Sequence, residues 1–206
     1  MLKIPYIKQP DDNSCALACY TMVAKYFFPE VSLEEIAKIS DWEEGYVVWA
    51  FKFWLWIMGR GIKITDYDLL DAKTWARDGL EGLKKSVSEK EFNFYINNTK
   101  DINSYSHDIK KVLTNHNFFF FRQKPTFETL EKSINENKIC EVVLDAGTLS
   151  GQNFFSLHRV VVLEVDDNKI IFHDPANKPN VEIGKDLFVK AWLEAVSEPE
   201  LCIYTR

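Results

Sequence analysis

Apolar residues in the first third of the chain recur every three or four positions, the spacing of a buried helix face. This pattern predicts a helix over residues 15–27, which Pro29 ends. Ser32 and Glu35 form a capping-box pattern, which predicts a second helix ending near Ser40. The apolar run 45–59 predicts a third helix. The apolar positions of the first helix are Leu17, Ala18, Met22, Val23 and Tyr26.

Short β-type runs replace the helical pattern in the last third of the chain. After a helix predicted over 127–135, these runs predict strands over 139–144, 159–165 and 169–173, with a hairpin turn at Asp166-Asp-Asn168. A helix over 185–195 and a strand over 201–204 complete the pattern. Helices first and antiparallel strands afterwards indicate the α+β fold class.

The middle of the chain has a less regular pattern. It predicts a short strand over 62–65, a helix over 69–85, a β-like stretch over 92–96 and a helix over 107–113, followed by the four phenylalanines of 118–121. Residues 3–8 are also compatible with a β-strand. Because no internal repeat or linker is visible, residues 1–206 are predicted to form one domain.

Composition and charge narrow the function classes. The chain is 46% apolar and 27% charged, which excludes disorder, and its net charge of −6 without a Lys/Arg block argues against a nucleic-acid partner. No secretory signal is visible at the amino end, so a cytoplasmic protein is expected. The Trp-rich segment 46–58 is too short to span a bilayer, although it leaves open a membrane-surface protein. Oligomeric state is not indicated.

Two cysteines lie close together near the amino end, but they do not form a metal-site pattern. Cys15 and Cys19 are four residues apart, and no second Cys/His pair at knuckle spacing accompanies them or Cys140 and Cys202. We therefore expect no metal and no cofactor. In a reducing compartment no disulfide is required of these four cysteines either.

Cys15 is predicted to lie in the first turn of a helix, where free backbone N–H groups and the helix dipole stabilise a thiolate. Gln9 stands six residues earlier, and its side-chain amide could donate a hydrogen bond to an oxyanion together with the Cys15 N–H. The alternative interpretation of Cys15 is a small buried core residue. Cys19, one helical turn further on, is better explained by core packing.

His158 opens a predicted strand, and Asp174 follows the strand paired with it. The two residues lie about equally far from the hairpin turn near 167, so their side chains are expected to be neighbours. An Asp in that position can orient the imidazole of a catalytic triad. Alternatively, each residue is purely structural. His173 is expected to point to the opposite face, and His107 and His116 to lie on the surface.

The combination of these residues resembles the bacteriocin-processing (double-glycine leader) peptidase family of papain-like cysteine peptidases, as a stand-alone member. The resemblance covers roughly residues 1–65 and 125–206 and rests on three motifs: Gln9 with Ser14-Cys-Ala-Leu-Ala-Cys19, His158-Arg-Val-Val-Val-Leu163, and Phe172-His-Asp-Pro175. Two departures are Ser14 and Ala16, where the family usually has Asp and Gly. Residues 66–124 have no counterpart and are expected to be an insertion or a lid.

The resemblance implies a papain-like fold in which a nucleophile helix packs on an antiparallel sheet carrying His and Asp. It implies Cys15 as nucleophile, His158 as general acid/base, Asp174 as orienting carboxylate and Gln9 as oxyanion donor. The function expected is a thiol hydrolase that cleaves a peptide or amide bond of a peptide or protein substrate through a thioester. Acyl transfer or deamidation by the same triad, and a non-catalytic peptide-binding module, remain alternatives.

Overall fold

A seven-stranded sheet runs through the computed structural model, which describes residues 1–206. Its order is β2-β1-β7-β3-β4-β5-β6, and neighbouring strands are antiparallel except for the parallel edge pair β1 and β2. That edge pair is where the sheet departs from the antiparallel arrangement expected from the sequence. The strands are β1 (Lys63–Tyr67), β2 (Phe118–Phe121), β3 (Ile139–Asp145), β4 (Leu157–Val165), β5 (Lys169–His173), β6 (Val181–Gly184) and β7 (Leu201–Thr205).

Ten α-helices surround or connect the strands, and none is long and apolar enough to cross a bilayer. A 3₁₀ turn at Ile102–Ser104 precedes α7, and a π-helical turn at Lys190–Glu194 continues α10. The helices are α1 (Cys15–Phe27), α2 (Leu33–Ile39), α3 (Phe51–Met58), α4 (Ala72–Asp78), α5 (Leu80–Ser86), α6 (Glu89–Asn98), α7 (Tyr105–Leu113), α8 (Phe127–Asn135), α9 (Ala146–Ser150) and α10 (Lys185–Val189).

Helix α1 packs across strand β4, which places the beginning of the helix beside the beginning of the strand. Leu17 and Met22 of α1 are fully buried, as the apolar spacing of this helix predicts, and so is Val161 of β4. The hydrophobic core is one continuous cluster of 50 buried residues, so the helices of the middle block share it with α1 and the sheet.

The elements with clear periodicity are confirmed. Helices α1, α2, α7 and α8 and strands β3, β4, β5 and β7 lie within about two residues of their predicted bounds, which is the usual uncertainty at element ends. Ser32 does cap α2, because its hydroxyl accepts a hydrogen bond from the N–H of Glu35. The pattern did not indicate α9 or β6, which are only five and four residues long.

The middle block differs most from its prediction. The helix expected over 69–85 is two helices, because Gly79 adopts a left-handed φ of 61° between α4 and α5. The β-like stretch expected over 92–96 is wrong: these residues belong to α6. Ser88 and Glu91 form a complete capping box there, and this start signal outweighs the β-propensity of the aromatic residues.

Two further segments are less regular than expected. Residues 3–8 form no strand, although the N–H of Leu2 bonds the carbonyl of Leu163. The helix expected over 45–59 begins only at Phe51, because Gly45 has a φ of 86° and the N–H of Val47 bonds Asn98 outside any helix. Residues 47–50 of this irregular segment line the cavity beside Cys15 that is described below.

Candidate active site

Cys15 is the first residue of α1, and the turn before it holds it in place. The hydroxyl of buried Ser14 donates to the carbonyl oxygen of Asp11 at 2.9 Å and accepts from the N–H of Asp11 at 3.0 Å. The N–H of Cys15 belongs to the first turn and has no acceptor in the protein. The Cys15 side chain is half-buried, so its thiol remains reachable.

His158 and Asp174 are in direct contact, as the hairpin register predicts. The distance from His158 Nε2 to Asp174 Oδ1 is 2.9 Å, and both side chains are buried. The Asp174 carboxylate is held in turn by the N–H of Ala176 at 2.9 Å and the side-chain amide of Asn177 at 2.7 Å. Because Nε2 is engaged by Asp174, the other ring nitrogen, Nδ1, is the one left for Cys15.

The pKa values of these three groups are shifted toward their charged forms. Burial raises the pKa of the Cys15 thiol, but hydrogen bonding and charge from His158 outweigh it and bring the pKa below its ordinary value. Burial lowers the pKa of His158, whereas hydrogen bonds with Asp174 and Cys15 raise it to about 10. Burial raises the pKa of Asp174, and its bond with His158 brings it below the usual value. A thiolate–imidazolium pair is therefore the favoured state.

Gln9 lies along the turn that carries Asp174, because its backbone N–H bonds the carbonyl of Pro175 at 3.0 Å. Its side-chain Nε2 donates to the carbonyl of Asp11 at 2.7 Å, and its Oε1 is buried without a partner. One N–H of the amide is thus engaged in the loop before Cys15, which leaves the second available for another acceptor.

Structural contacts or exposure account for the remaining candidates, as expected. His173 contacts the carbonyl of Ile4 at 2.9 Å through Nε2 and accepts from the N–H of Asn180 at 3.2 Å through Nδ1. Cys19 is fully buried, its Sγ lies 3.3 Å from the carbonyl oxygen of Arg159, and burial raises the pKa of this thiol well above its usual range. His107 and His116 are exposed.

The Trp-rich segment belongs mostly to the core. Trp54 is buried, and its indole N–H donates to the hydroxyl of Tyr204 at 3.0 Å. Trp49 stacks on Phe51 with ring centroids 5.8 Å apart. Trp56 is half-buried beneath the guanidinium of Arg60. These contacts account for the aromatic cluster by packing.

A narrow cavity of about 110 Å³ begins beside Cys15 and runs under α3 and α7 across one face of the sheet. The sequence did not point to it, because its wall combines segments far apart in the chain. Four charged residues interrupt the apolar wall: Asp66, Asp68, Arg159 and Glu200. The aromatic part of the wall includes Tyr20, Trp49, Trp54, Phe118 and Phe120.

A second, wider cleft of about 620 Å³ lies on the other side of the imidazole. His158 lines both spaces, but Asp174 lines only the cleft and Cys15 only the cavity. Residues of α9 and of the loop after it form the far wall of the cleft, including Ala146, Leu149 and Phe154. The imidazole of His158 therefore borders two spaces of different width, one shared with Cys15 and the other with Asp174.

An α-helix that begins with a thiol and packs on a sheet whose hairpin brings together His and Asp is the α+β arrangement of papain-like cysteine peptidases. The chain matches the model of the Peptidase C39 like family over residues 1–199 and belongs to that family. No curated protein matches the chain significantly.

Two solved structures resemble the fold. One is a candidate C39-like peptidase from Bacillus anthracis, with 13% identity, a TM-score of 0.56, and 99% of this chain and 95% of that chain covered. The other is a double glycine motif protease from an AMS/PCAT transporter in complex with the leader peptide. Its identity is 13%, its TM-score is 0.49, and 99% of this chain and 93% of that chain are covered. At 13% identity, the similarity to the Bacillus anthracis structure supports the fold and nothing further.

Proposed function

We propose that the protein hydrolyses a peptide or amide bond through Cys15, His158 and Asp174 by way of a thioester. The observation that carries the proposal is the shared imidazole of His158. Its Nε2 lies 2.9 Å from Asp174, while the same ring lowers the pKa of the Cys15 thiol. A nucleophile, a base and a group that orients the base are thus connected in the order that thiol hydrolysis needs.

In the first step, the Cys15 thiolate attacks the substrate carbonyl carbon and forms a C–S bond. The C–N bond then breaks as the imidazolium of His158 gives its Nδ1 proton to the departing amine. In the second step, His158 takes a proton from water, the resulting hydroxide forms the new C–O bond, and the C–S bond breaks. The proton returns to the His158–Cys15 pair, so the enzyme is regenerated without a redox partner.

The negative oxygen of each tetrahedral intermediate needs hydrogen-bond donors. The N–H of Cys15 has no acceptor in the protein, and the side-chain amide of Gln9 keeps one N–H unused, so we assign these two groups to that role. Ala16 in place of the family's usual Gly puts a methyl group at the cavity wall and leaves less room for the acyl part of the substrate.

We propose that the substrate is a peptide or protein and that residues 66–124 help to shape its site. This block supplies a large share of the cavity wall, including Asp66, Phe94, Tyr95, Phe118 and Phe120. Acyl transfer and deamidation would share the first step, because only the leaving group or the second nucleophile differs.

A peptide library incubated in ¹⁸O-water tests the proposal. Wild-type protein is expected to produce new carboxyl ends that carry ¹⁸O, and an acid quench should trap an acyl adduct on Cys15 that mass spectrometry detects. Cys15→Ala should bind peptides without cleaving them, whereas Cys140→Ala, which removes a buried thiol elsewhere, should cleave normally. An acyl adduct on Cys15 without any ¹⁸O-labelled product would identify an acyltransferase. If no peptide gives an adduct, hydrolysis is contradicted and the protein is a non-catalytic peptide-binding module.

A further inference from the structure

The cavity that begins beside Cys15 becomes acidic where it passes over strand β1. Asp66 lines it from this strand, next to Phe120 of β2 in the strand register. Asp68 stands two residues later and lines the same wall. These three residues define the acidic end of the cavity. Strands β7 and β3 separate β1 from β4, which carries His158, so the acidic end is distinct from the reactive groups.

No basic side chain pairs with the two aspartates of the acidic end. Arg159 is the one guanidinium in the cavity wall, and Glu200 already occupies it through two bonds of 3.0 and 2.6 Å. Glu141 approaches the same guanidinium at 3.5 Å. Arg122, one residue past β2, pairs with Asp71 at 3.0 Å instead. The acidic end therefore carries carboxyl groups that no cation of the protein compensates.

Asp66 has a carboxyl group without any partner. The residue is only 3% exposed, no hydrogen bond or ion pair involves its carboxylate, and its Oδ1 is shielded from solvent. Asp68 accepts from the N–H of Leu70 at 2.9 Å through Oδ1, which leaves its other oxygen free. Burial, followed by the charge of Glu200, raises the pKa of both aspartates well above the usual range. An unpartnered buried carboxyl group is costly, so a ligand that supplies donors and positive charge would be favoured here.

The groups missing from the acidic end are those of a protonated primary amine. Asp66 offers two carboxylate oxygens and Asp68 offers one, and a primary ammonium carries three N–H donors. A neutral donor would leave the negative charge uncompensated. No three acidic, His or Cys side chains converge as metal ligands, so the geometry favours an organic cation over a metal ion.

The remaining wall of the acidic end is apolar. Phe120 lies beside Asp66, and Ile109 and Val112 line the cavity from α7, which packs on β2. The whole cavity has a volume of about 110 Å³, well below the several hundred Å³ of ordinary ligand pockets. These walls suit a short alkyl chain, and the volume limits the ligand to a few heavy atoms.

We propose that the acidic end of the cavity is a second binding site, separate from the thiol, that holds a small primary amine in its protonated form. The ammonium donates to both oxygens of Asp66 and to the free oxygen of Asp68, and the alkyl chain packs on Phe120. The amine enters past Asp68, which is only half-buried, whereas Asp66 is enclosed. Because the ligand binds only the folded chain, it stabilises the packing of residues 66–124 on the sheet without touching Cys15.

An NMR titration of ¹⁵N-labelled protein tests the site with two probes of equal chain length, n-butylammonium chloride and uncharged 1-butanol, at constant ionic strength. We expect n-butylammonium to bind about 10- to 100-fold more tightly, the range expected for a charge-assisted hydrogen bond, with the largest shifts in β1 and β2. Asp66→Asn, which keeps the shape of the side chain, should lose most of this difference. Asp167→Asn, which removes an exposed carboxylate, should keep it.

Two further probes define the ligand. Tetramethylammonium carries no N–H donor and should bind at least about 10-fold more weakly than n-butylammonium. Equal binding would overturn the role of the three donors. The methylamide of acetyl-lysine presents the same ammonium on a peptide backbone and should also bind more weakly, because the cavity is too narrow for the backbone. Equally tight binding would overturn the assignment to a free amine and identify a lysine side chain as the ligand.

The site stands or falls independently of the proposed function. Cys15→Ala should bind n-butylammonium as the wild-type protein does, because the site does not contain the thiol. Equal affinities of the wild-type protein for n-butylammonium and 1-butanol would overturn the site, whatever the reactivity of Cys15. An ammonium preference that persists in Asp66→Asn would overturn the assignment to Asp66. If that variant does not fold, the comparison of the two probes in the wild-type protein decides.

Discussion

Two groups of buried or half-buried ionisable side chains meet strand β4, one at His158 and the other at Arg159, and they differ in how their charges are compensated. In the thiol cluster, Cys15, His158 and Asp174, each group has a partner and each pKa moves toward the charged form. In the carboxyl cluster, Glu141 and Glu200 pair with Arg159, Asp66 and Asp68 have no basic partner, and the pKa values of Asp66, Asp68 and Glu141 are raised. Charges are thus balanced by neighbours in the first cluster, whereas in the second the carboxyl groups outnumber the single guanidinium.

The largest effect is expected at Arg159, because its guanidinium compensates the negative charge of Glu141 and Glu200. Replacing it by methionine leaves Glu200 and Glu141 buried without a cation, which should lower the free energy of unfolding by about 3–5 kcal/mol. Urea denaturation measures this loss. Lys169→Met, which removes the exposed ion pair with Glu182, is the matched control and should change stability little. Similar losses in both variants would mean that the two clusters do not differ in charge balance.

In the thiol cluster, the corresponding substitution is at Asp174, and its effect is measured on the rate of hydrolysis. Asp174→Ala should lower the rate of hydrolysis about 100-fold, because the imidazole loses both its orientation and the charge that stabilises its protonated form. The pKa of His158 should then fall from about 10, and the loss of activity at alkaline pH should begin at lower pH.

Asp174→Asn separates these two effects, since its amide oxygen can still accept from Nε2 although its charge is gone. We expect a smaller fall in rate than in Asp174→Ala, with the same direction of change in the pH profile. Equal activity of wild type and Asp174→Ala would show that His158 acts without this carboxylate.

The smallest effect is expected at Gly82, which lies at the contact between α4 and α5, outside both clusters. A Cβ built on Gly82 would lie 2.4 Å from the carbonyl oxygen of Thr74, so Gly82→Ala should force α5 away from α4 and cost about 1–3 kcal/mol of stability. The rate of Cys15 alkylation should not change. Gly184→Ala, where the added Cβ meets nothing within 4 Å, is the control by thermal denaturation.

The difference between the two clusters also explains what the sequence could predict. His158 and Asp174 are joined by one short hairpin, so local pairing rules bring them together, and Cys15 is marked by a well-defined helix start. Asp66 lies on β1, Arg159 on β4 and Glu200 just before β7, and only the sheet order brings these segments, which are far apart in the chain, into one region. The sequence marks the carboxyl cluster only by charged residues within otherwise apolar strands, such as Glu141 of β3 and Arg159 of β4.

The secondary structure of residues 66–124 is hard to predict from the sequence for a different reason. Its helices α4, α5 and α6 are short, and their bounds depend on single residues such as Gly79 and Ser88 rather than on long apolar periodicity. Aromatic residues at 92–96 favour a strand locally, whereas the capping box at Ser88 and Glu91 and the packing of the core make them helical.

Activation of Cys15 by His158 is tested most directly by the pH dependence of Cys15 alkylation with iodoacetamide, followed residue by residue with mass spectrometry. We expect rapid modification of Cys15 at about pH 6, while buried Cys19, Cys140 and Cys202 stay inert. In His158→Ala the Cys15 pKa should rise, because burial is then opposed only by the smaller contributions of the Arg159 backbone N–H and the Arg159 charge. An ordinary thiol titration in the wild-type protein, or one unchanged in His158→Ala, would contradict the central claim that this imidazole activates this sulfur.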